Sequence, residues 1–167
     1  FMKAAAQEYS LEVSDQVDER YHLEKATQAA CDYLNKAKRS TGSWTMAAAA
    51  YNAGVAGMNK QTTFQQTNNY YDLYLNSETS RYVFRILAVK EIMKHPKKYG
   101  FIFDKKHLYN ELPTYNVMVD STIENLSDFA KSQNITYKEL KNYNPWLRDR
   151  KLDNKDGKTY YIRIPKK

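Results

Sequence analysis

With one cysteine, Cys31, the chain cannot close an internal disulfide, and that residue falls at the edge of a helical apolar stripe, where a small, partly buried packing role is expected. The three histidines, His22, His95 and His107, are far apart and have no second histidine or cysteine at ligand spacing, so no zinc site, other metal or cofactor is expected. No stretch approaches the roughly 20 consecutive apolar residues a membrane-spanning helix needs. Phe1 to Tyr9 also lack the basic, apolar and cleavable order of a signal peptide. The polypeptide as given therefore reads as soluble, and a first residue other than methionine leaves room for upstream sequence, targeting information included.

Blocks of five or six like charges are absent too. The net charge of +7 favours polyanionic partners such as nucleic acid, anionic lipid or a carboxylate-bearing cell wall, but the excess is shared almost evenly on either side of His107. Dispersed in this way, and without a nucleic-acid motif, the basic residues do not make a nucleic-acid interface even beside 15 tyrosines. What is present is enough apolar material for packed cores, 42% hydrophobic and 14% aromatic, in one mid-sized domain or two small ones.

The first hundred residues follow a helical grammar. Ala26, Ala29, Ala30, Tyr33, Leu34 and Ala37 recur as one face of an amphipathic helix closed by Lys36, Lys38 and Arg39. Thr41-Gly42-Ser43 interrupts it, Ser43 is a candidate N-cap, and Trp44, Ala47, Ala48 and Tyr51 form a second stripe ending at Gly54. Four consecutive alanines, Ala47 to Ala50, predict a helix near the centre of its module. Residues 59–72, rich in Asn, Gln and Thr without a period, predict a long loop or a loop with short turns. A third helix is predicted from Ser77 to before Pro96, with Tyr82, Ile86, Val89 and Met93 on one face and Glu78 one turn earlier; Asn76 and Ser77 are both suitable caps.

Beyond Gly100 the grammar changes. Tyr115, Val117 and Val119 alternate as in a strand, Ser121 with Glu124 and Thr136 with Glu139 form capping boxes for two short helices, and Tyr160 to Ile164 is again β-rich. The fold class expected is α+β: a mainly helical part followed by a small strand–helix–helix–strand module with a two-stranded antiparallel sheet.

Several segments occur in a telling order: FMKAAAQEYSL (1–11), VDERYHLEKATQAACDYL (17–34), WTMAAAAYNAG (44–54), TNNYYDLYLNSETSRYVFRILAVKEIM (67–93) and KKYGF (97–101). Together they resemble the bacterial lytic transglycosylases whose catalytic domain is a goose-type lysozyme-like helical fold. The tail, with NITYKELKNYNPWL (134–147) and YYIRIP (160–165), is similar to LysM peptidoglycan-binding domains. The resemblance implies a division into 1–107, the C-terminal part of the transglycosylase domain, and 108–167, a LysM-like domain. It implies peptidoglycan glycan strands as the partner, no cofactor, and a place on the periplasmic side of the bacterial envelope, with membrane attachment only through an upstream anchor. It carries no information on oligomeric state.

The family's chemistry is cleavage of the β-1,4 bond between N-acetylmuramic acid and N-acetylglucosamine without added water. One glutamic acid protonates the leaving oxygen, and the muramyl 6-hydroxyl closes onto C1 to give a 1,6-anhydro product, in place of the two-carboxylate scheme of most glycosidases. That acid lies in a Glu-Ser pair followed by Gly-x-x-Gln. No glutamate here, from Glu8 to Glu139, has this context, so no catalytic residue is assigned within the chain, the acid is expected upstream of Phe1, and the chain by itself is expected to be inactive. A non-catalytic peptidoglycan-binding or scaffold protein is the alternative.

The family's cleft-lining positions fall on Tyr51 and Asn52 of AYNAG and on Glu78 and Tyr82 of ETSRYV, the candidate substrate-binding residues. Tyr51 could instead pack in the core, Asn52 cap its helix, and Glu78 complement the helix dipole. Departures occur after AYNAG, at Val55 to Asn59, and at Ser80, where relatives often carry arginine. In the LysM-like tail, either Asn144, Pro145 and Trp146 present a polar and aromatic edge to N-acetyl groups, or Pro145 ends a helix and Trp146 packs on Tyr160 or Phe129.

Overall fold

The computed structural model describes residues 1–166, which fold as two compact units: one joins 1–29 to the segment from 110 onward, the other is 30–109. The architecture is mainly helical with one small antiparallel sheet.

Helix α1 (Lys3–Glu8) opens the chain; in the helical unit, most of α2 (Leu23–Thr41) precedes α3 (Trp44–Ala53), α4 (Val55–Gln65) and α5 (Ser77–Lys94). Ser43 caps α3 as expected, its hydroxyl accepting from the Met46 amide at 3.1 Å. The alanine run gives the close approach it predicts: Ala47, Ala49 and Ala50 are fully buried with Met46, Met58, Tyr70, Leu73 and Val83. The stripe is rotated from the predicted one, however, because Met46 rather than Trp44 faces the core, and Trp44 stands 59% exposed. Cys31 is likewise exposed rather than partly buried.

Two further expectations are corrected in this unit. The first half of the stretch predicted as a loop, residues 59–65, belongs to helix α4. Gly54, at φ +79°, turns the chain between helices while its amide closes α3 and its carbonyl opens α4. One fully buried side chain, Met58, anchors α4, too little to leave a periodic signal in the sequence. On α5, capped by Asn76, the inward residues are Thr79 and Val83, whereas Ile86, Val89 and Met93 are exposed. Tertiary partners decide this face: Tyr70 donates its hydroxyl to the carbonyls of Thr79 and Ser80, both at 2.8 Å, and orients the first turns.

In the other unit, β1 (Thr114–Val119) pairs antiparallel with β2 (Tyr160–Pro165), Tyr115 opposite Ile164 and Val117 opposite Ile162. Between them lie α6 (Leu126–Ser132) and α7 (Tyr137–Tyr143). The Thr136–Glu139 box opens α7 as predicted, but α6 starts later than the Ser121–Glu124 box implies: Asn125 caps it, while Ile123 forms a bridge with Leu152. The core of Leu126, Leu140, Leu147, Leu152, Ile162 and Ile164 also takes in Val17 from the N-terminal stretch. The division expected from sequence, 1–107 and 108–167, follows chain order, whereas in space the first 29 residues belong with the segment from 110 onward.

Candidate functional site

The end of α3 and the start of α5 meet in the helical unit. There the Thr79 hydroxyl donates to Asn52 Oδ1 at 2.9 Å, and Thr79, 1% exposed, has its amide fixed by the Asn76 cap. Asn52 is therefore oriented by a buried partner; among the described residues its amide nitrogen has no protein acceptor. Tyr51, 38% exposed, sets its ring edge-on to Tyr33 at 5.5 Å, and Tyr33 in turn donates to the Ala50 carbonyl at 2.8 Å. Tyr82 is half-buried, and burial first, then the neighbouring Tyr51 phenol, pushes its pKa up. Its hydroxyl stays protonated around neutral pH, a donor rather than a phenolate.

Three of the four sequence candidates, Tyr51, Asn52 and Tyr82, are gathered here. Glu78 is not on the inward face its spacing with Tyr82 implied: it is exposed on the first turn of α5, and the helix instead turns Thr79 inward. Thr79 is the residue that motif matching missed; its position inside ETSRYV was the available signal. A cavity of about 520 Å³ shares Thr79 and is lined further by Ala53, Met58, Gln61, Asn76 and Ser77. Polar side chains on an apolar floor suit a hydroxyl- and amide-bearing ligand.

In the other unit Asn144 is completely buried. Its Nδ2 donates to the carbonyls of Leu140 and Arg163, at 2.9 and 2.7 Å, and its Oδ1 accepts the Arg163 amide at 2.7 Å. Trp146, 4% exposed, stacks on Tyr160 at 5.8 Å and an interplanar angle of 18°. Its other neighbour is the His22 ring at 5.9 Å. A second cavity of about 520 Å³, lined by residues such as Tyr21, Asn116, Asn142 and Tyr161, lies alongside. Among the described residues no group of three or more His, Cys, Asp or Glu side chains is placed to hold a metal ion, and no helix is long and apolar enough to cross a membrane.

Residues 1–74, which include Tyr51 and Asn52, match the model of the transglycosylase SLT domain. That stretch, under half of the chain, is similar to lytic-transglycosylase domains. Residues 115–167 match the soluble lytic transglycosylase C-terminal LysM-like domain. Membrane-bound lytic murein transglycosylase D of Escherichia coli, in strains K12 and O6:H1, is 26% identical over 171 aligned positions covering 95% of this chain. The chain spans 35% of the length of those relatives. The Asn52–Thr79 contact thus links the matched SLT segment to residues just beyond it.

Proposed function

We propose that this chain is part of a peptidoglycan lytic transglycosylase and that Tyr51, Asn52 and Tyr82 form one wall of its glycan cleft, with Glu78 at the exposed rim. The observation that carries the reading is the buried Thr79 hydroxyl fixing Asn52 between AYNAG and ETSRYV, which leaves an oriented amide donor beside two phenols. In the reaction, a glutamic acid outside the 167 residues gives its proton to the oxygen leaving C1. The glycosidic bond breaks, the muramyl 6-hydroxyl oxygen bonds to C1, and the hydroxyl proton returns to the carboxylate. Neutral donors such as Asn52 and Tyr82 suit this step, because they hold N-acetyl and hydroxyl groups without placing a fixed charge against the oxocarbenium-like state.

The proposed setting is the bacterial cell envelope, with glycan strands as partner. The test is mass spectrometry of muropeptides released from purified peptidoglycan. The chain alone is expected to release no 1,6-anhydro product, and a protein extended to include a Glu-Ser segment is expected to release it. Robust release by the chain alone would overturn the placement of the acid. No release by the extended protein, with retained binding to the wall, would favour a non-catalytic scaffold.

A further inference from the structure

We infer that the corner of the C-terminal module carrying Asn144 and Trp146 is a docking surface for residues 12–24 of the same chain, and that the module and this stretch open as one cooperative body.

The N-terminal stretch is shaped before it docks. The Val17 carbonyl accepts the Ser14 amide at 2.7 Å, and Glu12 and Glu19 close the turn, the Glu19 amide donating to the Glu12 carbonyl and the Glu12 amide to the Glu19 carboxylate, both at 2.8 Å. The hairpin then supplies what the module lacks. Val17, 1% exposed, fills the core beside Leu147 and pairs with it as a β-bridge. The Asp18 amide donates to the Trp146 carbonyl at 2.9 Å, and the Arg148 amide to the Gln16 carbonyl at 2.7 Å, satisfying backbone groups on the loop after α7.

Side chains repeat the match. Gln16 engages Asp153 twice, donating to its carboxylate and accepting its amide, each at 2.7 Å. Glu12 accepts from Tyr160 and Lys158, both at 3.0 Å, and Glu24 pairs with Arg163 on β2. Bringing these groups together closes a loop of more than 80 residues, whose entropy cost the contacts must offset. One apolar plug, two backbone bonds and matched polar pairs on a single strip fit an integral layer of the module better than an incidental contact. The same contacts consume the edge assigned from sequence to N-acetyl groups, since Trp146 lies between His22 and Tyr160 and the Asn144 amide is fully used. This assignment holds whether or not the chain takes part in glycan cleavage.

The experiment is amide hydrogen exchange by NMR on the whole chain under native conditions. The Asp18 and Arg148 amides, bonded across the interface, are expected to exchange within about threefold of Leu140, Asn144 and Leu152 inside the module. Exchange of the first pair faster by about 100-fold would overturn the inference. Val17→Asp is expected to accelerate all five. Because that variant risks misfolding the module outright, Gln16→Ala is the milder probe, expected to accelerate all five by about tenfold. Acceleration of Asp18 and Arg148 alone in Gln16→Ala would show peripheral docking and overturn the inference. On addition of an N-acetylglucosamine tetramer, the Trp146 indole resonance is expected to stay put, and a saturable shift would return that edge to glycan binding.

Discussion

Asn52 and Asn144 both lie at helix ends and both precede a change of chain direction, yet they use their amides differently. Asn144 commits both donors and its acceptor to α7 and β2 in a fully buried site, whereas Asn52 commits only its oxygen, to Thr79, and keeps its nitrogen for an outside acceptor. The sequence context is similar: each follows a tyrosine. What differs is the surroundings, a sheet strand against Asn144 and a half-open helix junction against Asn52. A polar residue in a motif is therefore a candidate ligand only where the fold leaves part of it unspent.

The sharpest way to break that comparison is to delete both amides. Asn144→Ala removes the side-chain partners of the Arg163 carbonyl and amide, while the Leu140 carbonyl keeps the backbone amide of residue 144, and is expected to cost about 3 kcal/mol of stability by urea denaturation, with little direct effect on glycan binding. A loss below about 1 kcal/mol would mean water replaces the amide at no great cost. Gly54→Ala tests the turn that presents Asn52. Its backbone, at φ +79° and ψ 144°, lies in a region essentially reserved for glycine, so about 2 kcal/mol should be lost although no atom crowds the position. An unchanged midpoint would show that the α3–α4 junction relaxes.

Asn52→Ala and Thr79→Val should cost only about 1 kcal/mol each in stability, and their double-mutant cycle should show coupling of about 1 kcal/mol. In a protein that also carries the catalytic glutamate, Asn52→Ala should lower kcat/KM for anhydromuropeptide release about tenfold or more, and Thr79→Val less, since Thr79 positions Asn52 without meeting the glycan. Equal losses from both would make Thr79 a direct contact. An inactive Asn144→Ala at temperatures where it remains folded would erase the contrast between the two asparagines.

Local chemistry was the legible part of this chain. Ser43, Asn76 and the Thr136–Glu139 box are helix starts that a residue and its third neighbour decide between themselves, and each caps as its type predicts. The strand–helix–helix–strand order was legible for the same reason. Features set across the chain were not. The inward face of α5 follows from Tyr70 and Asn52, α4 has Met58 as its one fully buried side chain, and Val17 sits in a core otherwise built from residues after 116. Motif resemblance named Tyr51, Asn52 and Tyr82 but passed over Thr79, which holds Asn52 through one tertiary hydrogen bond.

The smallest expected effect concerns pH and the buried side of the comparison. His22 packs against Trp146, and burial, only partly opposed by the neighbouring Glu24, lowers its pKa below the ordinary 6.5. The folded chain thus prefers the neutral ring, while the unfolded chain takes up a proton as pH falls through 6.5. The stability contributed by neutral His22 is complete above that value and declines from about pH 6.5 downward until the folded-state pKa is passed. Asp18 behaves alike further into acid: its ion pair with Arg20, at 2.6 Å, lowers its pKa below 3.8, so its contribution is present above that value and lost below it. Urea midpoints at closely spaced pH values should therefore fall in two steps. His22→Gln should remove the first step only, leaving the second and the response of the α3–α5 junction unchanged. Should the first step survive in His22→Gln, another group titrates there, and the packing of His22 on Trp146 is not what makes this region sensitive to acid.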